Sequence, residues 1–208
     1  MPLTQGLTQP IPNSSIADGS NPVQLFGKAG DAVVSELHGK YYTAAYRGKL
    51  FSANVSAVTV PQVASNLVSV FTLWNPPGSG VVMEIVETTV GQVLATTVVD
   101  TVGWYFSTAV LSAAGTFTTA GTVQNKLVGG FAGAGKFYSA YTHSGTPVLI
   151  DIIGDFGAVT ATATQGPTKL HDGKLILPPG IAMSVAMSTA AGTASGLAIQ
   201  ADWAEFPI

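Results

Sequence analysis

Alternation of large apolar and small residues is the clearest pattern along this chain. Between residues 181 and 188, every odd-numbered position is Ile, Met or Val and every even-numbered one is Ala or Ser. The closing segment repeats the pattern at Leu197, Ile199, Ala201 and Trp203. Because side chains alternate between the two faces of a strand, a period of two predicts strands with one buried face. We therefore predict that Trp203 belongs to the core.

Two corners rich in Pro and Gly interrupt the apolar runs. The first is Asn75–Gly80 (NPPGSG), within the stretch 67–90, and the second is Pro178–Gly180 (PPG). Pro has no N–H for a ladder hydrogen bond, and Gly accepts the positive φ that a reversal usually needs. The flanking runs are rich in Val, Ile, Thr and Phe, which fit a pleated, half-buried surface. Each corner therefore predicts two strands that run antiparallel.

Short segments of the same kind follow one another along most of the chain. No amphipathic helix longer than two turns is evident, and the glycines within residues 124–146 interrupt any long element there. Many short strands with Gly and Pro between them predict an all-β fold, either a sandwich or a barrel. Besides the strands at the two corners, we predict strands at residues 32–37, 41–46, 50–55, 93–99, 104–111, 116–123, 148–153 and 158–164.

The first residues differ from the rest in composition. Residues 1–24 are rich in Pro, Ser, Gln and Asn and show no periodicity, which predicts an extended or disordered N-terminal arm. No further shift in composition follows, and a chain of 208 residues is long enough for one well-buried core. We therefore predict a single β-domain over residues 25–208. The first residues lack the basic and apolar regions of a signal peptide, so none is expected.

Charge is scarce on this chain. Charged residues make up 9% of the sequence, against a usual share of about 25%, and hydrophobic residues make up 47%. A weakly charged surface favours association, so we expect a homo-oligomer in which partners cover part of the surface. The formal net charge of −3 and the dispersed basic residues argue against nucleic acid as a partner. The uncharged stretch 175–201 is interrupted by Pro and Gly, so we expect no membrane span.

Motifs that carry chemistry are few. The chain has no cysteine, which excludes disulfides, thiolate metal ligands and a cysteine nucleophile, and which suits a reducing cytoplasm. Gly130–Lys136 has the glycine and lysine spacing of a phosphate-binding loop. However, Phe137 stands where that loop needs Ser or Thr, and no helical pattern follows. We therefore predict that ATP with magnesium does not bind there.

The titratable residues lack the spacing of a recognised site. His38, His143 and His171 lie in predicted turns, which predicts solvated side chains rather than metal ligands. Glu84 and Glu87 are expected on opposite faces of one strand, because side chains alternate, and this makes them a poor acid–base pair.

Two aspartates and a set assembled only by folding complete the candidates. Asp151 and Asp155 flank Gly154 and could shape a turn or hold calcium, although the dense acidic run of a calcium loop is missing. A Ser, His and Asp set brought together in space stays open, with nothing in the spacing to favour one. We assign no catalytic, cofactor-binding or metal-binding residue, and we expect no cofactor and no enzymatic activity.

The aromatic residues support two interpretations. Most of them lie within predicted strands, where filling the core is the usual role. Exposed rings would instead form a stacking platform for sugars. The residues concerned are Trp74, Trp104 and Trp203 with Tyr41, Tyr42, Tyr46, Tyr105 and Tyr138.

The closing sequence resembles a known group of proteins. Leu175–Ile208 (LILPPGIAMSVAMSTAAGTASGLAIQADWAEFPI) is similar to the last strands of jelly-roll structural proteins of tailed bacteriophage particles. Those proteins often end on a Pro-Pro-Gly corner, a small-residue turn and a Trp-x-Glu strand. His38–Ala53 (HGKYYTAAYRGKLFSA) and Leu73–Val81 (LWNPPGSGV) are similar to the same group. The likeness covers residues 31–95 and 173–208.

This resemblance implies both a fold and a function. The fold would be a single-domain antiparallel β-sandwich of the jelly-roll type, and the protein would be a virion component without enzymatic activity. The implied role is a capsid decoration or minor capsid protein. The alternative is a receptor- or glycan-binding module of a phage tail or head fibre, with a host-surface glycan as its ligand. The implied partners are further copies of the chain, with a trimer favoured, and other virion proteins such as the major capsid protein. The implied location is the virion, assembled in the host cytoplasm.

Overall fold

Antiparallel strands dominate the part of the chain that the computed structural model describes. The predicted N-terminal arm, the predicted strands at 32–37 and 158–164 and His38 lie outside that part, whereas Tyr41–Ile208 forms one unit. The described residues are 39–60, 68–69, 71–94, 100–106, 115–143, 147–156, 166–187 and 195–208.

The described elements comprise one short helix and a series of strands. The helix is α1 (Tyr42–Tyr46). The strands are β1 (Leu50–Val60), β2 (Val68–Ser69), β3 (Phe71–Trp74), β4 (Val81–Leu94), β5 (Asp100–Phe106), β6 (Gly115–Ala120), β7 (Gln124–Asn125), β8 (Lys136–His143), β9 (Val148–Phe156), β10 (Thr168–Leu170), β11 (Ile176–Leu177), β12 (Ala182–Met187) and β13 (Ser195–Pro207).

The strands form two antiparallel sheets. The first has the order β10–β4–β13–β1–β7, with β11 also paired to β4. The second contains β8–β3–β12–β5–β9, with β2 and β6 also paired to β8. Side chains from both sheets meet in one apolar core. The central strands β1–β13–β4–β10 and β3–β12–β5–β9 interleave the beginning and the end of the chain, as in a jelly roll. The predicted all-β sandwich is therefore confirmed.

Both Pro-Pro-Gly corners carry the chain from one sheet to the other. The first connects β3 to β4, and the second connects β11 to β12, so the strands flanking each corner belong to different sheets. Gly78, Gly80 and Gly180 have φ values of 73°, 71° and 90°. These left-handed conformations are strained for a residue with a Cβ, which explains the glycines that the sequence places there.

The side chain of Asn75 joins the two corners. Its Nδ2 donates to the carbonyl of Val81 at 2.8 Å and to that of Leu177 at 2.9 Å. Its backbone N–H donates to Ile181 O at 3.0 Å, and its carbonyl accepts from Gly180 N at 2.7 Å. Asn75 is fully buried, so these bonds replace water for groups that would otherwise lack partners.

The core is built on stacked and edge-packed aromatic rings. Trp203 is fully buried, as predicted, and its ring centroid lies 6.1 Å from that of Phe51. Phe71 packs against Trp104 at 6.0 Å and against Phe137 at 4.8 Å. The predicted alternation along β13 is confirmed, since the positions of the same parity as Trp203 are buried, namely Leu197, Ile199 and Ala201.

The strand predicted at residues 41–46 is wrong, because the chain forms α1 there. Ala45 N donates to Tyr41 O at 2.9 Å and Arg47 N donates to Thr43 O at 3.0 Å, as in a helical turn. Two adjacent alanines favour the helix, and Ala44 packs with its neighbour against a small cluster on the outer face of the first sheet. Burial of that apolar side overrides the β-propensity of the tyrosines.

Three glycines lie within strands or directly before one. β4 continues through Gly91 to Leu94, so the separate strand predicted at 93–99 is wrong for its described residues. β9 runs through Gly154, where a Cβ would lie 2.7 Å from the ring of Pro167. Gly135 directly precedes β8 within the supposedly irregular segment. In these strands glycine permits a close neighbour instead of a turn.

We predict that Asn75→Ala lowers the free energy of unfolding by about 2–4 kcal/mol, because it leaves two buried carbonyls without their amide donor. Chemical denaturation with a fluorescence readout measures this. The matched control is Ser79→Ala in the same corner. It removes a hydroxyl that donates to Val81 O at 3.2 Å and accepts from Val81 N at 3.4 Å, both part-buried, and should cost less than about 1 kcal/mol. Equal losses for the two variants would contradict the proposed junction.

Candidate functional site

A chain of polar side chains crosses the core between the two sheets. It consists of Thr88 on β4, Trp104 on β5, Asp151 on β9, Lys169 on β10 and His171, which follows β10. Each of these strands contributes one member, so only the folded sandwich brings the five together. Their side chains are joined by hydrogen bonds and an ion pair.

A bulge in β4 sets the position of this polar chain. Ile85 pairs with Trp203 whereas Glu87 pairs with Asp202, so Val86 is an extra residue in the ladder. The bulge reverses the alternation of faces, and as a result Ile85 and Thr88 both point into the core. The carbonyl of Val86 accepts a hydrogen bond from the backbone N–H of His171 at 2.9 Å, which holds His171 beside Thr88.

Hydrogen bonds connect Trp104, Thr88 and His171 in series. The indole Nε1–H of Trp104 donates to Thr88 Oγ1 at 3.0 Å, and indole nitrogen can only donate. Thr88 Oγ1 lies 2.9 Å from His171 Nε2. A threonine hydroxyl has one proton and two acceptor lone pairs, so Thr88 Oγ1 can bond to Nε2 in either tautomer of the imidazole.

The other side of the His171 ring faces a carboxylate. His171 Nδ1 lies 2.9 Å from Asp151 Oδ2, although the alignment falls short of a hydrogen bond, since Oδ2 accepts none. The pKa of His171 is lowered, first by burial and also by the charge of Lys169, while Asp151 acts in the opposite sense. The desolvation of the ring outweighs the attraction of Asp151, and this favours the neutral form of His171.

The polar chain reaches the surface at an ion pair. Lys169 Nζ lies 2.5 Å from Asp151 Oδ1 and also donates to Ile152 O at 2.5 Å. Both side chains are partly exposed, at 31% for the lysine and 26% for the aspartate. They line an open depression of about 340 Å³ together with Leu149, Ile150 and Ile152. We name this depression the β9 groove.

The order hydroxyl, imidazole, carboxylate is that of a hydrolase triad, but the nucleophile position is closed. Thr88 is fully buried and His171 is only 1% exposed. The Thr88 oxygen already accepts a bond from Trp104, and no described opening leads to it. A triad needs its hydroxyl within reach of a substrate carbonyl. In this arrangement the polar chain links β4 and β5 across the core, which is a structural role.

The second described histidine is buried as well. His143 is 1% exposed, and its Nε2 lies 2.9 Å from Ser184 Oγ, which in turn lies 2.7 Å from Thr72 Oγ1. Burial lowers the pKa of His143 to about 4 and raises the pKa of the adjacent Tyr141 to about 12. The prediction of solvated turn histidines is therefore wrong for His143 and His171, because strand ends fold them into the sandwich.

The glycine loop that resembles a phosphate-binding loop holds a carboxylate of the chain itself. The backbone N–H groups of Ala134 and Gly135 donate to the two oxygens of Glu205 at 2.8 Å each. Trp203 Nε1 donates to the same carboxylate at 3.2 Å. Glu205 is 5% exposed, so these three donors replace the water that its burial removes.

Close packing explains why this loop is rich in glycine. A Cβ at Gly133 would lie 2.7 Å from Glu205 Oε1, and one at Gly135 would lie 2.8 Å from the side chain of Met83. β8 begins at Lys136, so a strand and not a helix leaves the loop. The backbone N–H groups of this loop therefore form an anion cradle, and the Glu205 carboxylate occupies it.

Among the carboxylates singled out by the sequence, Asp151 belongs to the polar chain, whereas Glu84, Glu87 and Asp155 lie outside it. Glu84 and Glu87 were expected on opposite faces of β4, and this is wrong. The bulge at Val86 intervenes, and the residues paired with the two glutamates lie on the outer face. Asp155 accepts a hydrogen bond from Thr101 at 2.6 Å, while Asp151 pairs with Lys169. Among the described residues, no group of three or more possible metal ligands gathers at one point.

The tryptophans proposed as a sugar platform are mostly in the core. Trp104 and Trp203 have no exposed surface, and Tyr105 is only 5% exposed. Of the aromatic residues considered for the platform, Tyr42 and Tyr46 on α1 are exposed, and their rings stack with centroids 5.8 Å apart. This pair follows from their spacing of four residues on a helix, which a strand prediction could not anticipate.

The comparisons with known proteins add no relative. No protein-family model, no curated protein and no solved structure matches the chain. Among the described residues, no helix has the length and apolar character needed to cross a membrane.

We predict that Thr88→Val lowers the free energy of unfolding by about 2–4 kcal/mol. Valine keeps the volume but leaves Trp104 Nε1 and His171 Nε2 without a partner, at about 1–3 kcal/mol each. The control, Thr88→Ser, keeps the hydroxyl and loses one methyl group, so it should cost about 1 kcal/mol. Urea denaturation of both variants measures their free energies of unfolding. A valine variant as stable as the serine variant would remove the structural role of the hydroxyl.

We predict that millimolar ATP with magnesium leaves the melting temperature unchanged, because Glu205 occupies the cradle. Glu205→Ala should lower the free energy of unfolding by about 2–4 kcal/mol, since it leaves the N–H groups of Ala134 and Gly135 unpaired. The exposed Lys136→Ala serves as the control and should change it by less than about 0.5 kcal/mol. An ATP-dependent rise in melting temperature that Lys136→Ala abolishes would contradict this account.

Proposed function

We propose that the protein is a structural component of a bacteriophage virion, a capsid decoration or minor capsid protein that assembles with copies of itself. The observation that carries the proposal is the strand order, in which β1–β13–β4–β10 faces β3–β12–β5–β9. That is the jelly-roll arrangement, which is common in viral capsid domains. The resemblance of the corners and of the closing strand to bacteriophage structural proteins narrows the viral role to a phage particle.

The use of polar groups supports a structural role. The Thr88 hydroxyl bonds to Trp104 and His171, and the Glu205 carboxylate bonds to the backbone of the glycine loop. The Trp104 indole on the second sheet donates to Thr88 on the first, and Glu205 on β13 holds the glycine loop. Groups committed in this way stabilise one shape, and a rigid shape is what a repeating particle component requires.

A receptor- or glycan-binding module of a phage fibre is the second candidate. It is favoured by one observation, the stacked pair Tyr42 and Tyr46, whose exposed fractions are 45% and 59%. Exposed aromatic faces bind sugars by stacking, and jelly rolls also occur as lectin domains. A glycan array separates the two candidates, because Tyr42→Ala with Tyr46→Ala should abolish binding only if this pair is the platform.

The test of the proposed function is the presence of the chain on purified particles. An antibody against the chain should decorate intact particles recovered from producing cells, at regular positions visible by electron microscopy. The chain should copurify with the major capsid protein through a density gradient. Particles free of the chain, with all of it in the soluble fraction, would contradict the proposal.

We predict that the purified chain is an oligomer at micromolar concentration, with a trimer favoured, because its weakly charged surface exposes apolar side chains. Sedimentation velocity measures the mass directly. A single monomeric boundary over the whole micromolar range would rule out self-assembly of the isolated chain.

A further inference from the structure

An exposed apolar knob stands at one edge of the sandwich. It is formed by Leu127, Val128 and Phe131, which follow the edge strand β7 and have exposed fractions of 39%, 96% and 58%. A valine almost entirely in solvent gains nothing for the stability of its own chain. We name these three side chains the knob.

The backbone around the knob is held in place by hydrogen bonds. Asn125 Nδ2 donates to Gly48 O at 3.0 Å and to Phe131 O at 2.9 Å, and its Oδ1 accepts from Leu127 N at 2.8 Å. Gly130 N donates to Leu127 O at 2.7 Å, which closes the turn at the tip. The apolar side chains are therefore presented by an ordered turn, so binding would order little additional backbone.

Cations surround the knob. Lys49 Nζ lies 5.6 Å from the centroid of the Phe131 ring. The exposed Arg47, two residues before Lys49, is the C-cap residue of α1. Lys126 directly precedes the knob and pairs with Asp202 at 2.9 Å. Among the described residues next to the knob, Lys49 and Lys126 stand against the single carboxylate of Asp202, which gives this edge a positive character.

The opposite edge of the sandwich has the complementary character. β7 ends one side of the first sheet, whereas β10 and β9 end the two sheets on the other side and are joined by Lys169 and Asp151. The β9 groove lies on this edge and is lined mainly by apolar side chains. Its rim exposes Val148, Ile150 and Ile152 at 48%, 41% and 51%.

Carboxylates predominate around the groove. Asp151 lies on its wall, and the exposed Asp155 lies four residues further along β9. Glu87 pairs with Leu170 at the neighbouring end of β10, and the exposed Asp172 follows. The cations on this edge are Lys169 and Lys174.

We propose that copies of this chain associate head to tail, with the knob of one copy seated in the β9 groove of the next. The proposal deepens the proposed function and rests on it. The knob is apolar and has cations beside it, whereas the β9 groove is apolar and has carboxylates beside it. The two surfaces are therefore complementary, and every copy of the chain carries both. A face-to-face contact of two knobs would bring like charges together. A head-to-tail contact closes into a ring or extends as a row of copies.

Cysteine crosslinking tests the contact directly, because the chain contains no cysteine of its own. One preparation carries Val128→Cys and the other Ile150→Cys, and the two are mixed and oxidised. A disulfide forms only when the two Cα atoms approach within about 7 Å. We expect a crosslinked dimer in the mixture and none in either preparation alone. The control mixture combines Val128→Cys with Phe206→Cys, an exposed position outside the proposed contact, and should stay uncrosslinked.

A second variant separates failure of this inference from failure of the proposed function. Val128→Asp should leave the melting temperature unchanged, since the side chain is exposed, and should weaken self-association at least tenfold in sedimentation experiments. A wild-type chain that remains monomeric would overturn self-assembly altogether. A wild-type oligomer that Val128→Asp leaves intact, without the Val128–Ile150 crosslink, would overturn only the knob and groove contact.

Discussion

The buried amide of Asn75 is the contact on which the rest of the sandwich depends. Both Pro-Pro-Gly corners carry the chain between sheets, and the amide donates to a carbonyl beside each of them. The two corners also meet through the Gly180 N–H bond to Asn75 O. Their fixed separation sets where β4 and β12 start, and thus the register in which β4 pairs with β13 and β12 with β3. A one-residue slip in the pairing of a strand would expose its entire apolar face. The residue at which each strand begins therefore determines which side chains enter the core.

Polar groups inside this core serve the fold in two ways. The Trp104, Thr88 and His171 chain links the sheets, and Glu205 replaces an external anion in the glycine loop. Each arrangement looks like a functional motif, a hydrolase triad in the first case and a phosphate loop in the second. Burial distinguishes a structural network from a reactive one, because a catalytic group needs a free approach for its substrate.

The sequence predicts the strands whose alternation is undisturbed, and it fails where a local irregularity intervenes. The alternation of residue types along the last strand predicts that Trp203 is buried. The positions of the corner glycines are likewise evident from the sequence. The bulge at Val86 leaves no mark in the pattern of residues, although it turns Thr88 inward and places Glu84 and Glu87 on one face. Thr88, Asp151 and His171 lie on different strands, so no spacing rule could connect them. The helix at Tyr42–Tyr46 forms because one alanine side packs on the sheet, which is a tertiary effect.

We propose self-assembly through two complementary edges of a rigid sandwich. Hydrogen exchange at dilute and at assembling concentrations of the wild-type chain examines both edges in one experiment, because it follows the protection of backbone amides along the chain. The account predicts that protection rises in two separate segments, 126–131 at one edge and 148–152 at the other, while α1 is unchanged. Protection that rises at only one of these edges, or at neither, would contradict the account.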